Sequence, residues 1–424
     1  MATLADDASP PWYRGLTRFQ WTILLAAWLG WVFDVFDAAI FNFTKTSILK
    51  EMMGAEGYAA SGPTVEGWIQ GIFLFGWALG GLLFGILADR WGRTRTLVLT
   101  ILVYSLFTGL TIFCREVWQI AAARFIVALG IGGEWAAGAA LVAEVMPNRS
   151  RAAAAAILQS AAAFGPALAG VAQLFLRGMP WQYMYVVGVV PALICVLIRL
   201  AIKEPEPTAG NSPTHSVNPL RDLWASPTWR KRVLVAMVIG AVVVTGAGTA
   251  SFWAPNLLES ASKGLSKADV DARKSIGIMV SHIGTLIGVL LVPYLCEKFG
   301  RKRTIGAFFA ATPIAVVAIA SSGLDYGSLL LILPFINFFA IGISGALALY
   351  FPELFPTALR ATGAGMAYNV GRVFSILMPI VTGFIISQSH SIGTGFLVSG
   401  SIYLVGLLAL PFAPETKGKP LPTA

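Results

Sequence analysis

Charge is scarce in this chain: Asp, Glu, Lys and Arg make up 12% of its 424 residues, about half the share of a soluble domain. Set against 56% hydrophobic residues and a mean hydropathy of +0.73, that scarcity excludes a soluble globular protein and a disordered one. Cysteine is rarer still. Cys114, Cys195 and Cys296 stand far apart with no CxxC pairing, so a disulfide scaffold, a zinc site and a redox dithiol all drop out, and neither a metal nor a cofactor is expected. Histidine occurs three times, and His215 falls in a polar stretch that reads as a solvated loop. No nucleophile–base constellation is visible, so an enzyme is not expected. Basic residues outnumber acidic ones by 30 to 21, yet they sit in short clusters between apolar runs. That is the pattern of membrane topology, and no nucleic-acid partner is expected.

Long apolar runs are what the chain has in place of charge. A helix needs about 20 apolar residues to cross the hydrocarbon core. Twelve such runs occur, at about 19–43, 65–87, 96–113, 117–145, 153–176, 180–201, 233–257, 275–295, 304–321, 327–351, 363–387 and 392–413. They predict an all-α membrane protein of twelve transmembrane helices, with residues 1–18 and 414–424 as tails. The first run carries two Asp near its end and follows a polar tail, which does not fit a cleavable signal peptide. Lys and Arg number about 19 in the tails and even-numbered connections against about 8 in the odd-numbered ones, so both termini are expected in the cytoplasm. Compact loops suggest the inner membrane of a bacterium. The polar break at 202–232 reads as a cytoplasmic linker between six-helix bundles at 19–201 and 233–413.

Two motifs recur across that break. Asp89-Arg90-Trp91-Gly92-Arg93 follows the second run, and Glu297-Lys298-Phe299-Gly300-Arg301 follows the eighth, 208 residues later. Glu144, Pro147 and Arg151 reappear as Glu353, Pro356 and Arg360, 209 residues later. Each copy follows the same span of its half, so the halves are parallel repeats about an axis along the membrane normal.

The loop at 85–93, with its weaker copy after the eighth run, resembles the signature loop of the major facilitator superfamily. Within that superfamily, Phe-Asp-Val-Phe-Asp-Ala-Ala-Ile-Phe (33–41) and the stretches 124–135, 143–151 and 352–372 are similar to metabolite:proton symporters that carry sialate, lactate and aromatic acids. The resemblance covers nearly the whole chain. It implies two pseudo-symmetric six-helix bundles that rock around a central site; a monomer is expected. It also implies a cytoplasmic gate built from Asp89, Arg93, Glu144 and Arg151 with their copies Glu297, Arg301, Glu353 and Arg360. Exposed charges that merely obey the positive-inside rule are the alternative, although that rule does not call for Glu144 or Glu353.

Ionisable groups at bilayer depth are costly and usually face a bundle interior or a watery cavity. Here they are Asp34, Asp37, Arg124, Glu134, His282 and Arg372. At about 1.5 Å per residue, Asp37 and Arg124 lie level in spans that run in opposite directions. A buried Arg needs a counter-ion, so the two are expected to pair. Burial disfavours the carboxylate and the Arg favours it, which makes the pair a possible proton switch or a static lock. Asp34, one turn away, could hold the proton instead. Glu134 reads as a proton relay or a structural hydrogen bond, and His282 as a packing residue with a proton role open.

Arg372 lies near mid-membrane, with Tyr368 and Asn369 on the same face. Its planar fork matches a carboxylate, although pairing with an acid on another helix would serve equally. Gln159, Gln173, Asn256 and Asn337 are amides that could bind substrate or join helices. Glycine spacings at Gly76/Gly80 and Gly81/Gly85 report close helix packing only, and Gly130-Ile131-Gly132-Gly133 lies inside a span rather than after a strand. The reading is a proton-coupled symporter of a small organic anion: a monocarboxylate, sialic acid or an aromatic acid. A sugar or polyol carrier is the alternative, since Pro-Glu-Thr-Lys-Gly at 414–418 resembles sugar porters; a transporter-like membrane sensor is a third.

Overall fold

The computed structural model describes residues 12–91, 93–147, 150–190, 219–321, 325–356, 359–419 and 422, among which no strand occurs. His215, Cys195 and most of the 202–232 stretch lie outside the described residues. The helices are α1 (Arg18–Trp91), α2 (Arg93–Leu110), α3 (Val117–Val145), α4 (Arg151–Phe175) and α5 (described over 182–190) in the first half. The second has α6 (Pro219–Ala225), α7 (Pro227–Ser260), α8 (Lys267–Phe299), α9 (Arg301–Ser321), α10 (Tyr326–Ala340), α11 (Ser344–Glu353), α12 (Arg360–Ser375), α13 (Leu377–Ser389) and α14 (Ile392–Ala409).

Ten helices among the described residues are long and apolar enough to cross a membrane, the first of them spanning two of the apolar runs. The sixth run is described only as far as residue 190. Two of the others are interrupted, the tenth at 341–343 between α10 and α11 and the eleventh at Ile376 between α12 and α13.

Local chemistry sets the helix ends. Thr17 Oγ1 accepts the Gln20 N–H while Gln20 Oε1 accepts the Thr17 N–H, a reciprocal cap that starts α1. Ser266 caps α8 through the Asp269 N–H, and Asp325 caps α10 through the Ser328 N–H. The end of the linker is helical as α6, and Pro227 in the first turn of α7 occupies a position whose missing N–H costs no helical bond.

Residues 44–64 stay helical where the sequence reads as a connection, so the first two spans form one helix with a bend. The bend is at Gly54, whose φ of 73° and ψ of 166° a side chain would strain. Lys45, which the sequence places with the basic residues of that connection, is fully buried.

The repeat extends from the loops into the packing. A Cβ at Gly76 or Gly80 would meet the carbonyls of Phe125 and Leu129; one at Gly284 or Gly288 would meet those of Pro334 and Phe338. The glycine pairs are 208 residues apart in sequence and the carbonyl pairs 209. Absence of a side chain at these positions lets the second span close on the fourth, and the eighth on the tenth.

The halves meet by the same rule. Gly67 of α1 packs on the Pro379 carbonyl of α13, and Gly170 of α4 on the Ser275 carbonyl of α8, again at offsets of 208 and 209. Cross-half bonds gather toward the end opposite the termini. They include Thr64 to Ser387 at 2.9 Å, Lys50 to Glu259 at 3.1 Å and the Gly178 N–H to Asp271 at 3.1 Å. The halves are therefore closed at that end.

Candidate functional site

Asp37 of α1 and Arg124 of α3 lie 3.6 Å apart, each about 2% exposed. Their helices run in opposite directions and place both residues at one depth. The Thr108 hydroxyl of α2 donates to Asp37 Oδ1 at 2.6 Å, a partner that the sequence did not single out. The Arg124 guanidinium lies 4.1 Å from the Phe73 ring and 4.9 Å from that of Phe41. Two aromatic faces and one carboxylate thus hold the cation, and its Nε and Nη2 make no protein hydrogen bond. Such a cation can move when its carboxylate is neutralised. Asp34 and Glu134 are also buried, on α1 and α3 respectively.

Arg372 of α12 is 6% exposed, with its guanidinium 4.8 Å from the Trp77 ring and 5.8 Å from the Tyr368 ring. Trp77 belongs to the first half, so Arg372 stands where the halves meet. Trp77 continues into an aromatic group: Trp31 meets it edge-on at 6.0 Å, and Trp28 meets Phe164 at 5.2 Å while donating to Ser160 Oγ. Gln159 of α4 reaches across to Ser344 Oγ of α11 at 3.4 Å. Asn369 is exposed rather than turned inward with its two neighbours.

Other amides and the histidine are engaged elsewhere. Asn337 donates to Ser281 Oγ at 3.1 Å and His282 Nδ1 lies 3.2 Å from Thr285 Oγ1, both inside the second half. Asn256 donates to Glu66 at 2.9 Å. Glu66 lies within the second apolar run, and an acid in that setting is a signal for a buried partner that the residue-level reading passed over.

At the end bearing the termini, Arg301 Nε and Nη2 donate to both oxygens of Glu353 at 3.1 and 2.9 Å, and Nη2 also meets Glu297 at 2.6 Å. Arg360 opens α12. The side chains of Asp89, Arg93, Glu144 and Arg151, the other half of this expected gate, lie outside the described residues.

The segment 414–417 folds back onto the cluster. Thr416 Oγ1 donates to Glu353 at 2.6 Å, and Tyr350 donates to the Pro414 carbonyl at 2.7 Å. Glu415 accepts the first N–H groups of α9, those of Arg301 and Lys302, each at 3.0 Å. A carboxylate there satisfies orphan donors and faces the positive end of the helix. Burial pushes the Glu415 carboxyl up, yet four backbone N–H donors together outweigh it and hold the group below the usual carboxylate range.

The sequence pattern of the Major Facilitator Superfamily matches residues 27–379. A probable 4-methylmuconolactone transporter from Cupriavidus pinatubonensis is 31% identical over 420 residues, 96% of this chain and 93% of that one. The niacin transporter NiaP of Acinetobacter baylyi is 29% identical, with 95% and 96% of the two chains covered. Among solved structures, the inward open conformation of the xylose transporter XylE from E. coli has a TM-score of 0.75 at 19% identity, covering 95% of this chain and 98% of that one. That last likeness is one of fold.

Proposed function

Because this chain belongs to the Major Facilitator Superfamily and is a transporter, we propose that it carries a small organic acid, as the anion, together with a proton. Alternating access of the two halves moves both. The observation that carries the reading is Arg372, a buried guanidinium on the second half that faces Trp77 of the first. A planar fork at that junction binds a carboxylate bidentately, and the bound anion then touches both halves at once. Tyr368 and Gln159 are the polar groups proposed to complete the site, and the exposed Asn369 is left out of it. The relatives' names, for niacin and 4-methylmuconolactone, support a compact acid as substrate.

We assign the proton to the Asp37–Arg124 pair, with Asp34 one turn away on α1 and Glu134 farther along α3 as further carriers. Protonating Asp37 neutralises the carboxylate that pairs with Arg124, and a buried cation without its counter-ion is strongly unfavourable. The first half then gains by rearranging, which links proton binding to movement. In this reading the termini are cytoplasmic, the membrane is a bacterial inner membrane, and the protein works as a monomer. The Arg301–Glu353–Glu297 cluster, with Arg360, forms the second half's share of the cytoplasmic gate. Asp89, Arg93, Glu144 and Arg151 supply the first half's share.

Uptake into proteoliposomes tests the reading. Labelled niacin, benzoate, lactate, sialic acid and glucose are offered with and without an inward proton gradient, to the wild type and to Arg372→Gln. Gradient-driven uptake of one acid, lost in Arg372→Gln, is the expected result. Glucose uptake indifferent to both changes would favour a sugar carrier, the second reading, which the Pro-Glu-Thr-Lys-Gly strap supports.

A further inference from the structure

Two buried lysines cross between the halves near the end opposite the termini, and neither takes part in the site described above. Lys45 of α1 donates to the Phe252 carbonyl of α7 at 2.7 Å, and Lys274 of α8 donates to the Phe43 carbonyl of α1 at 3.2 Å. Phe43 and Phe252 are 209 residues apart, which makes them the same position of the repeat. Each half therefore sends a lysine to the equivalent backbone carbonyl of the other.

The counter-ions follow the repeat with their signs exchanged. Lys45 pairs with Glu66 at 3.3 Å, while Lys274 pairs with Glu259 at 3.6 Å and with Asp271 at 3.5 Å. Glu66 and Lys274 are equivalent positions, 208 residues apart, and so are Lys50 and Glu259, 209 apart, which also bond to each other across the halves. Where one half carries an acid on its second span, the other carries a base.

The first of these clusters is sealed from solvent. Both side chains of the Lys45–Glu66 pair are 0% exposed. Glu66 accepts from Tyr58 at 2.6 Å and Thr46 at 3.3 Å on its own half, and from Asn256 at 2.9 Å on the other. Lys45 also sits over the Phe252 ring at 3.2 Å. Burying two charges is costly unless they are hydrogen-bonded, and here the bonds from Asn256 and to the Phe252 carbonyl are made only while α7 is docked. When the halves part, water replaces Asn256 and the Phe252 carbonyl, so the cluster opens without stranding a charge. That combination is what a reversible closure needs.

We infer that Lys45–Glu66–Asn256 and Lys274–Glu259 are two pseudo-equivalent latches that hold the transporter shut at its outer end. The inference rests on the alternating-access reading, and its test separates the two. Spin labels are placed on the exposed Glu56→Cys and Lys263→Cys positions, one in each half, in a chain with Cys114, Cys195 and Cys296 changed to Ser. Distances are measured in lipid nanodiscs by double electron–electron resonance, with uptake as a check of integrity.

Asn256→Ala removes the cross-half bonds from Asn256 to Glu66 and Thr46 and leaves the Lys45–Glu66 pair in place, so it does not depend on folding with a lone buried charge. A hydrogen bond to a charged group implies that the ratio of long to short distances rises by about tenfold in this variant. Lys274→Met is expected to raise it further, and the double variant by about the product of the two. Lys45→Met with Glu66→Met, which removes the pair as a unit, also shifts toward long distances. Unchanged proportions in all of these, with the wild type showing both distances, overturn the latches alone. A single short distance in every chain, with uptake intact, overturns the rocking on which they rest as well.

Discussion

Changing Asp37 to Asn tests whether the Asp37–Arg124 pair is a single energetic unit. Both side chains are about 2% exposed, so solvent does not screen them. Removing one partner of such a pair costs about 3–5 kcal/mol, because the other charge is left buried. The separation of 3.6 Å and the aromatic support from Phe73 and Phe41 place the cost at the lower end, about 3 kcal/mol. Arg124→Gln alone is expected to cost a similar amount. Together the two changes remove both charges, so the double variant loses less than the sum, by a coupling of about 2 kcal/mol or more. Reversible unfolding in mixed detergent micelles, followed by tryptophan fluorescence, gives all four corners of the cycle. Additive losses, with a coupling below about 0.5 kcal/mol, would refute the pairing as an energetic unit.

The other predictions concern packing and the tail. Gly67→Ala puts a methyl into the Pro379 carbonyl, so the halves cannot close opposite the termini; transport is expected to fall by about tenfold or more with expression retained, measured by uptake. Gly54→Ala forces a side chain into a left-handed backbone and is expected to cost about 1–3 kcal/mol of stability, seen as an earlier unfolding midpoint. Glu415 is held below its ordinary range in the folded chain, so its contribution is present above the unfolded value and is lost as pH falls through the folded one. Hydrogen exchange of residues 413–419 is therefore expected to speed up only at pH below about 4 and to be fast at neutral pH in Glu415→Gln.

Much of this arrangement was legible because membrane helices leave few choices. Asp37 and Arg124 could be placed level by counting residues at a fixed rise along antiparallel spans, and the structure sets them 3.6 Å apart. The repeat was visible in the charged loops; its deeper expression, Gly76 and Gly80 answering Gly284 and Gly288, hides in a spacing that many helices share. The burial of Lys45 is not legible in the sequence, because Thr-Lys-Thr-Ser at the end of an apolar run looks like a loop and only the helix continuing to Gly54 buries it. Trp77 could not be told from the lipid-facing aromatics, since periodicity is silent on which face meets the other half. Glu415 read as a tail residue because its partners, the first N–H groups of α9, are backbone and leave no mark in the sequence.

The most direct test of proton-coupled anion transport is the pH change that the substrate itself drives. The acid that is taken up is added to proteoliposomes without any imposed gradient, and external pH is followed with a dye against protein-free vesicles. The account predicts external alkalinisation above that control, absent in Asp37→Asn although this variant still exchanges labelled substrate across the membrane. Uptake of the acid with no proton movement in the wild type, or equal proton movement in Asp37→Asn, would contradict it.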